Sequence, residues 1–242
     1  MEAIVEIDGL KKSFGSNEVL KGVSLKIEKG KNLVVFGKSG SGKSVLIKCL
    51  IGLLEPDEGK ITLFGRDITE LNEQELNMVR KKIGFLFQSA ALYDSMTVRE
   101  NLEFPLRESK LKQEEVDALV IEALANVGLS EAIEKMPSEL SGGMRKRVGL
   151  ARTLILKPEV ILYDEPTTGL DPITSREISQ LILDIQKKYN TASLIITHDV
   201  ECAHTTANHI MVIKEGLVFA EGTFIELSES KDEWVSSFFK QY

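Results

Sequence analysis

The 242-residue sequence predicts an α/β fold with a parallel sheet at its core, a β-rich flap at the start and a helical insertion in the middle. Three observations carry that reading. Strands that are apolar throughout, residues 160–163 being the clearest, alternate with helical stretches, the pattern of a sheet covered on both faces. Residues 97–140 hold no convincing strand and set Val116, Leu119, Val120, Ala123, Leu124 and Val127 on one helical stripe. The opening residues read instead as short strands separated by turns.

The elements follow in order. Residues 4–7 and 24–27 alternate as half-buried strands, the second closed by the Lys29-Gly30 turn. Residues 32–36 form a buried strand, followed by a glycine-rich loop and a mostly buried helix over 44–51. A strand at 83–87 precedes the helical insertion. Beyond it come a helix at 142–156, the strand at 160–163, a helix at 174–189 and a strand at 193–196, so the parallel sheet resumes. Residues 209–213 and 217–220 flank Lys214-Glu215-Gly216 as a hairpin, and 228–242 close as a short amphipathic helix carrying Trp234, Val235, Phe238 and Phe239. That helix packs either on its own domain or on a second subunit.

Composition narrows the class. The chain has 30 Lys+Arg against 37 Asp+Glu, a formal net charge of −7, which argues against a general nucleic-acid binder. Cys49 and Cys202 are far apart and lack metal-ligand spacing, so neither a disulfide framework nor a zinc site is indicated and a reducing, cytoplasmic setting is expected. No signal-peptide pattern opens the sequence, and charges interrupt every apolar run before about 18 residues accumulate. Service to a membrane process would come through docking on another polypeptide.

Gly37-Lys38-Ser39-Gly40-Ser41-Gly42-Lys43-Ser44 fits the phosphate-loop pattern G-x-x-x-x-G-K-S/T and lies between the predicted strand and helix, where that pattern has mechanical meaning. The glycines let the backbone N–H groups converge on an anion, the helix start adds its positive dipole end, Lys43 adds a point charge and Ser44 a hydroxyl for Mg²⁺. With Val45 these residues are the candidate ATP-binding loop. The strand ending in Asp164-Glu165 sets two carboxylates at the edge where parallel sheets bind ligands; Asp164 is placed to hold Mg²⁺ and Glu165 to polarise water. Taken alone, that pair would equally suit a helix N-cap with a surface neighbour.

Leu140-Ser141-Gly142-Gly143-Met144 lies between these two motifs, and with it the chain resembles the ATP-binding cassette (ABC) ATPases over nearly its whole length. Ser141 and the two glycines at a helix start are a second anion-binding terminus, though alone they would read as a plain Ser N-cap. The resemblance implies one P-loop cassette over 1–242. Its RecA-like parallel-sheet core and N-terminal antiparallel β subdomain would occupy about 1–96 and 141–227, a helical subdomain about 97–140, and a C-terminal helix about 228–242. By the same resemblance Phe14 stacks on adenine, Gln88 ligates Mg²⁺ beside Ser44 and Asp164, Asp171 belongs to the D-loop, and His198 contacts the γ-phosphate. It also implies a head-to-tail homodimer that sandwiches two ATP molecules, each held by Lys43 of one protomer and capped by Ser141, Gly142, Gly143 and Asp171 of the other. Catalysis would then rest on Glu165, His198, Gln88 and Lys43.

Two longer strings, residues 87–98 and 141–148, are similar to those of Mla-type cassettes; common solute importers usually carry Gln where this chain has Met144. That likeness implies phospholipid transport between membranes through a multispanning permease and an MCE-domain protein, with room for a small regulatory subunit. The chain would sit on the cytoplasmic face of the inner membrane, peripheral through the permease, whose coupling helix would meet Leu92 and Tyr93. The alternatives are a cassette serving a polar solute such as an amino acid, and a soluble non-transport ABC ATPase acting on a macromolecule. Arg145-Lys146-Arg147 fan around a helix and read as a solvated face, not a nucleic-acid site. His204 and His209 match no motif and read as surface or packing residues.

Overall fold

The structure, a computed structural model, describes residues 3–240. Its first sheet is built on a long antiparallel hairpin of β1 (Ala3–Phe14) and β2 (Asn17–Glu28). After β3 (Asn32–Phe36) and α1 (Lys43–Leu50), β4 (Glu58–Leu63) returns to pair with β1, and the short β5 (Arg66–Asp67) closes the order β2-β1-β4-β5. These strands are longer than the sequence suggests because Asp8-Gly9 and Lys11-Lys12 interrupt the alternation where β1 has register shifts. Strand β4 and helix α2 (Glu73–Arg80) are also additions; α2 is largely polar and starts at an Asn72–Glu75 capping box.

The second sheet holds β6 (Ile83–Leu86), β7 (Val160–Asp164), β8 (Ala192–Thr197), β9 (His209–Lys214) and β10 (Leu217–Gly222) in the order β10-β9-β3-β8-β7-β6. All neighbours are parallel except β10, which pairs antiparallel with β9. Between β6 and β7 run α3 (Val98–Glu103), α4 (Gln113–Asn126) and α5 (Gly142–Leu154). Helices α6 (Pro172–Tyr189) and α7 (Val200–Thr206) flank β8; α8 (Phe224–Ser228) and α9 (Glu233–Phe239) follow β10. The final helix is thus shorter than the predicted 228–242, and residues 241–242 lie outside the described chain.

Alternation along each buried strand divides the core in two. Leu33, Val35, Val160, Leu162, Leu194 and Ile196 face the flap and α1, whereas Val34, Phe36, Ile161, Tyr163 and Ile195 face the helical insertion, α5, α6 and α9. Val235 and Phe239 of α9 are fully buried, and Trp234 meets Phe219 edge-on at 5.2 Å, so α9 packs on its own chain. His204 lies 4.4 Å from the Phe224 ring, a packing contact. No helix of the described residues is long and apolar enough to cross a membrane.

Candidate functional site

Because β3, β8, β7 and β6 run parallel as neighbours, the loops leaving their C-terminal ends gather at one edge of the sheet. A cleft of about 540 Å³ opens there. It is lined by Gly37, Lys38, Ser39, Gly40, Gly42, Lys43, Ser44 and Val45 after β3, Gln88 after β6, Asp164 and Glu165 at the end of β7, and His198 after β8. Gly42 starts α1 in the left-handed region (φ 103), and a Cβ there would come within 2.9 Å of the Val19 carbonyl, so only glycine fits. No side chain caps α1; its first N–H groups face the cleft.

Lys43 is 5% exposed. Its Nζ donates to the carbonyls of Gly37 (2.7 Å) and Lys38 (3.1 Å) and stands 3.9 Å from Glu165 Oε1. Burial lowers its pKa, against the pull of Glu165 and Asp164. Burial and the adjacent Glu165 carboxylate raise the pKa of Asp164. Two neighbouring carboxylates in a cleft, with the Ser44 hydroxyl and the Gln88 amide on its wall, form an all-oxygen donor set of the kind Mg²⁺ takes beside phosphates.

Glu165 is held in an uncommon conformation. Its φ is 50°, left-handed for a non-glycine residue, and its N–H donates to Ile196 O at 2.9 Å. The carboxylate Oε2 lies 2.8 Å from His198 Nδ1 and accepts from Thr168 Oγ1 at 3.2 Å. The geometry suits a carboxylate aimed at a water, with the histidine fixing its direction.

Other predicted residues stand elsewhere. Ser41 is buried behind the loop, off the cleft wall, and its hydroxyl has no partner among the described residues. Phe14, at the tip of the β1–β2 hairpin, is 48% exposed and does not line the cleft, whereas Val19 on β2 does. Ser141 caps α5, its hydroxyl accepting from Met144 N at 3.2 Å. Asp171 caps α6, accepting from Ile173 N, Thr174 N and Thr174 Oγ1. A Cβ on Gly143 would lie 2.4 Å from Thr174 Cγ2, so the two helix starts abut closely. Neither start lines the cleft of its own chain.

Of Arg145-Lys146-Arg147, Arg145 is exposed and Arg147 half-buried, and the solvated-face reading is corrected by the structure at Lys146. Lys146 is 4% exposed, and its Nζ donates to Gln88 O and to Glu165 O (3.2 Å). Burial brings its pKa down to about 8, against the field of Asp164 and Glu165. Arg147 reaches Val127 O at 3.1 Å and Glu177 at 2.8 Å; Arg145 reaches Leu140 O at 3.2 Å. Lys146 falls on the buried stripe of Gly143 and Leu150, the signal that could have found it. Phe238 was also missed: it lines the cleft and meets Phe36, the last residue of β3, edge-on at 5.4 Å.

A loop of backbone donors, a buried lysine, paired carboxylates and an oriented glutamate, all at one parallel edge, define a nucleoside triphosphatase of the P-loop class. The family model described as ABC transporter matches residues 20–168. The chain belongs to the ABC transporter family and is its ATP-hydrolysing cassette. It is similar to the intermembrane phospholipid transport system ATP-binding protein MlaF of Haemophilus influenzae, at 39% identity over 98% of this chain and 90% of the relative. The probable ribonucleotide transport ATP-binding protein mkl of Mycobacterium tuberculosis is 46% identical over 90% of this chain. The methionine import ATP-binding protein MetN of Rhizobium johnstonii is 42% identical over 91%. The chain spans 61% of the length of each of these last two. Among solved structures, the dimeric post-hydrolysis state of the cassette MJ0796 bound to ADP and Pi superposes with a TM-score of 0.82 at 32% identity, covering 90% of this chain and 98% of that one.

Proposed function

We propose that the chain energises phospholipid transport between membranes, working as an ATP-sandwich homodimer beneath a multispanning permease that is coupled to an MCE-domain protein. The observation that carries the cargo is the likeness to MlaF, which extends over nearly the whole of both chains, whereas mkl and MetN extend well beyond this chain. The organisation follows the cassette plan, with the helical subdomain at about 97–140 facing the permease. The exposed Tyr93, its ring tilted against Phe104 at 4.6 Å, is the surface offered to it. The site of action is the cytoplasmic face of the inner membrane.

In the hydrolytic step, Lys43 turns from the Gly37 and Lys38 carbonyls to the β- and γ-phosphates, while the first amides of α1 hold the same oxygens. Ser44, Gln88 and Asp164 would hold Mg²⁺, which would supply positive charge to offset that of the phosphates. Glu165 accepts the proton of the attacking water, and His198 keeps its carboxylate in place. Ser141, Gly142, Gly143 and Asp171 of one protomer close over the ATP of the other. Phe14, outside the cleft at the hairpin tip, would meet the adenine only where the base projects beyond Val19.

A second reading, import of a polar solute, is favoured by the likeness to MetN. Capture of tagged Glu165→Gln from native membranes in mild detergent, with mass spectrometry of co-purifying proteins and lipids, separates the two. The expected result is a permease, an MCE-domain protein and phospholipid. A permease with a solute receptor supports the second reading, and soluble partners alone remove transport.

A further inference from the structure

Helix α5 has its first turn at Ser141-Gly142-Gly143 and its only deeply buried charge at Lys146, three residues past Gly143. The Lys146 ammonium donates to two carbonyls that belong to separate loops: Gln88 O, after β6, and Glu165 O, after β7. Both loops are conformationally costly. Ala90 (φ 62) and Ala91 (φ 47) turn the first through the left-handed region, and Glu165 (φ 50) stands in it in the second. A strained backbone persists only where its surroundings over-determine it, and here α5 supplies much of that constraint. Arg152, further along the same helix, donates to Ala90 O at 3.2 Å. The Glu165 residue is thereby held at both ends, its N–H on Ile196 O of β8 and its carbonyl on Lys146 of α5.

We propose that Lys146 is a positioning residue for hydrolysis: its ammonium clamps the Gln88 and Glu165 carbonyls to α5, fixing the backbone from which the Glu165 carboxylate is aimed. The inference rests on the reading of Glu165 as the residue that activates water and of the α5 start as the cap on a partner's ATP. It extends that reading in one respect. The helix whose first turn closes one ATP site carries, one turn later, the clamp on the glutamate of the other, so each site reports its occupancy to its neighbour. Asp164 and Glu165 are the charged groups that act on the ammonium.

The test uses the full chain, with Lys146→Met removing the donors at equal length, Lys146→Arg keeping them, and Glu165→Gln as reference. In Lys146→Met, kcat is expected to fall about tenfold or more while KM and the directly measured ATP affinity stay within about twofold, with the Hill coefficient for ATP falling toward one. Hydrogen exchange in peptides covering 86–91 and 163–167 speeds up in the same variant, and Lys146→Arg restores part of both effects. Unchanged kcat and exchange in Lys146→Met overturn the proposal, as does an equal loss of turnover and ATP affinity in both variants. If Lys146→Met does not fold, Lys146→Gln replaces it under the same criteria. Should Glu165→Gln hydrolyse ATP normally, the reading of Glu165 fails, while the exchange data still decide whether the clamp exists.

Discussion

Helices α1 and α5 both begin at glycine-bearing turns and both bury a lysine near the start, yet their first amides are given different things to do. In α1 the start is Gly42, which offers no side-chain cap, and the open N–H groups look into a cleft furnished with Lys43, Asp164, Glu165 and His198. In α5 the Ser141 hydroxyl already accepts from Met144 N, and the helix start does not line the cleft of its own chain. The first is a complete anion site on one chain. The second is satisfied at rest by its own cap, and on the proposed reading it is half a site that another protomer's ATP completes. On the same proposed reading, affinity for nucleotide resides at α1, and α5 contributes to turnover.

The comparison breaks most visibly at Lys43. Lys43→Met removes the charge-assisted contact to phosphate and is expected to weaken ATP binding about 100-fold and to abolish measurable hydrolysis, read by equilibrium binding and phosphate release. An affinity within a few-fold of the unaltered chain would take the anion site away from α1. Gly143→Val is the matching test at α5. Its side chain would collide with Thr174, 2.4 Å from the first added carbon, and hydrolysis is expected to fall by about 30-fold with ATP affinity unchanged. If binding falls in parallel, the two helix starts are not functionally distinct. Ser141→Ala sharpens the picture with the smallest effect. Loss of an N-cap costs about 1 kcal/mol, which for a chain of this size lowers the melting temperature by about 2–4 °C. Calorimetry in the absence of nucleotide reads it, and an unchanged melting temperature means the resting cap carries no stability.

The same pair of helices shows what the sequence could reveal. The phosphate loop was legible because its parts are contiguous, from Gly37 to Val45, and because an apolar strand and a helix flank them. Asp164 could be placed because it closes an apolar strand and parallel neighbours release their loops at one edge, whereas Gln88 and His198 were picked out only by the resemblance to the ABC cassettes. Lys146 was misread because its acceptors lie 58 and 19 residues away, on loops whose carbonyl directions no local pattern encodes. Phe238 escaped for the same reason: its partner Phe36 belongs to a strand at the other end of the chain. In the flap, β1 was cut short because a half-exposed hairpin tolerates the charged and glycine residues that punctuate turns elsewhere. Helix α2 has only Leu76 and Val79 buried, too narrow a stripe to register beside its polar neighbours.

The place of β3 within its sheet sets a timetable for synthesis. Both neighbours of β3 come from the last third of the chain: Asn32 is opposite Ser193 of β8, and Leu33 is opposite His209 of β9. A ribosome making about 5–20 residues per second therefore completes the phosphate loop's residues many seconds before the strands that hold them exist. Until then β3 is an apolar segment with two unpaired edges, the kind of exposed strand that chaperones shield and that aggregates when unshielded. A nascent or truncated chain that stops short of β8 carries every residue of the phosphate loop and none of its lateral support. Competence to hold nucleotide thus arrives late, as a sign that the distant strands have been made and docked.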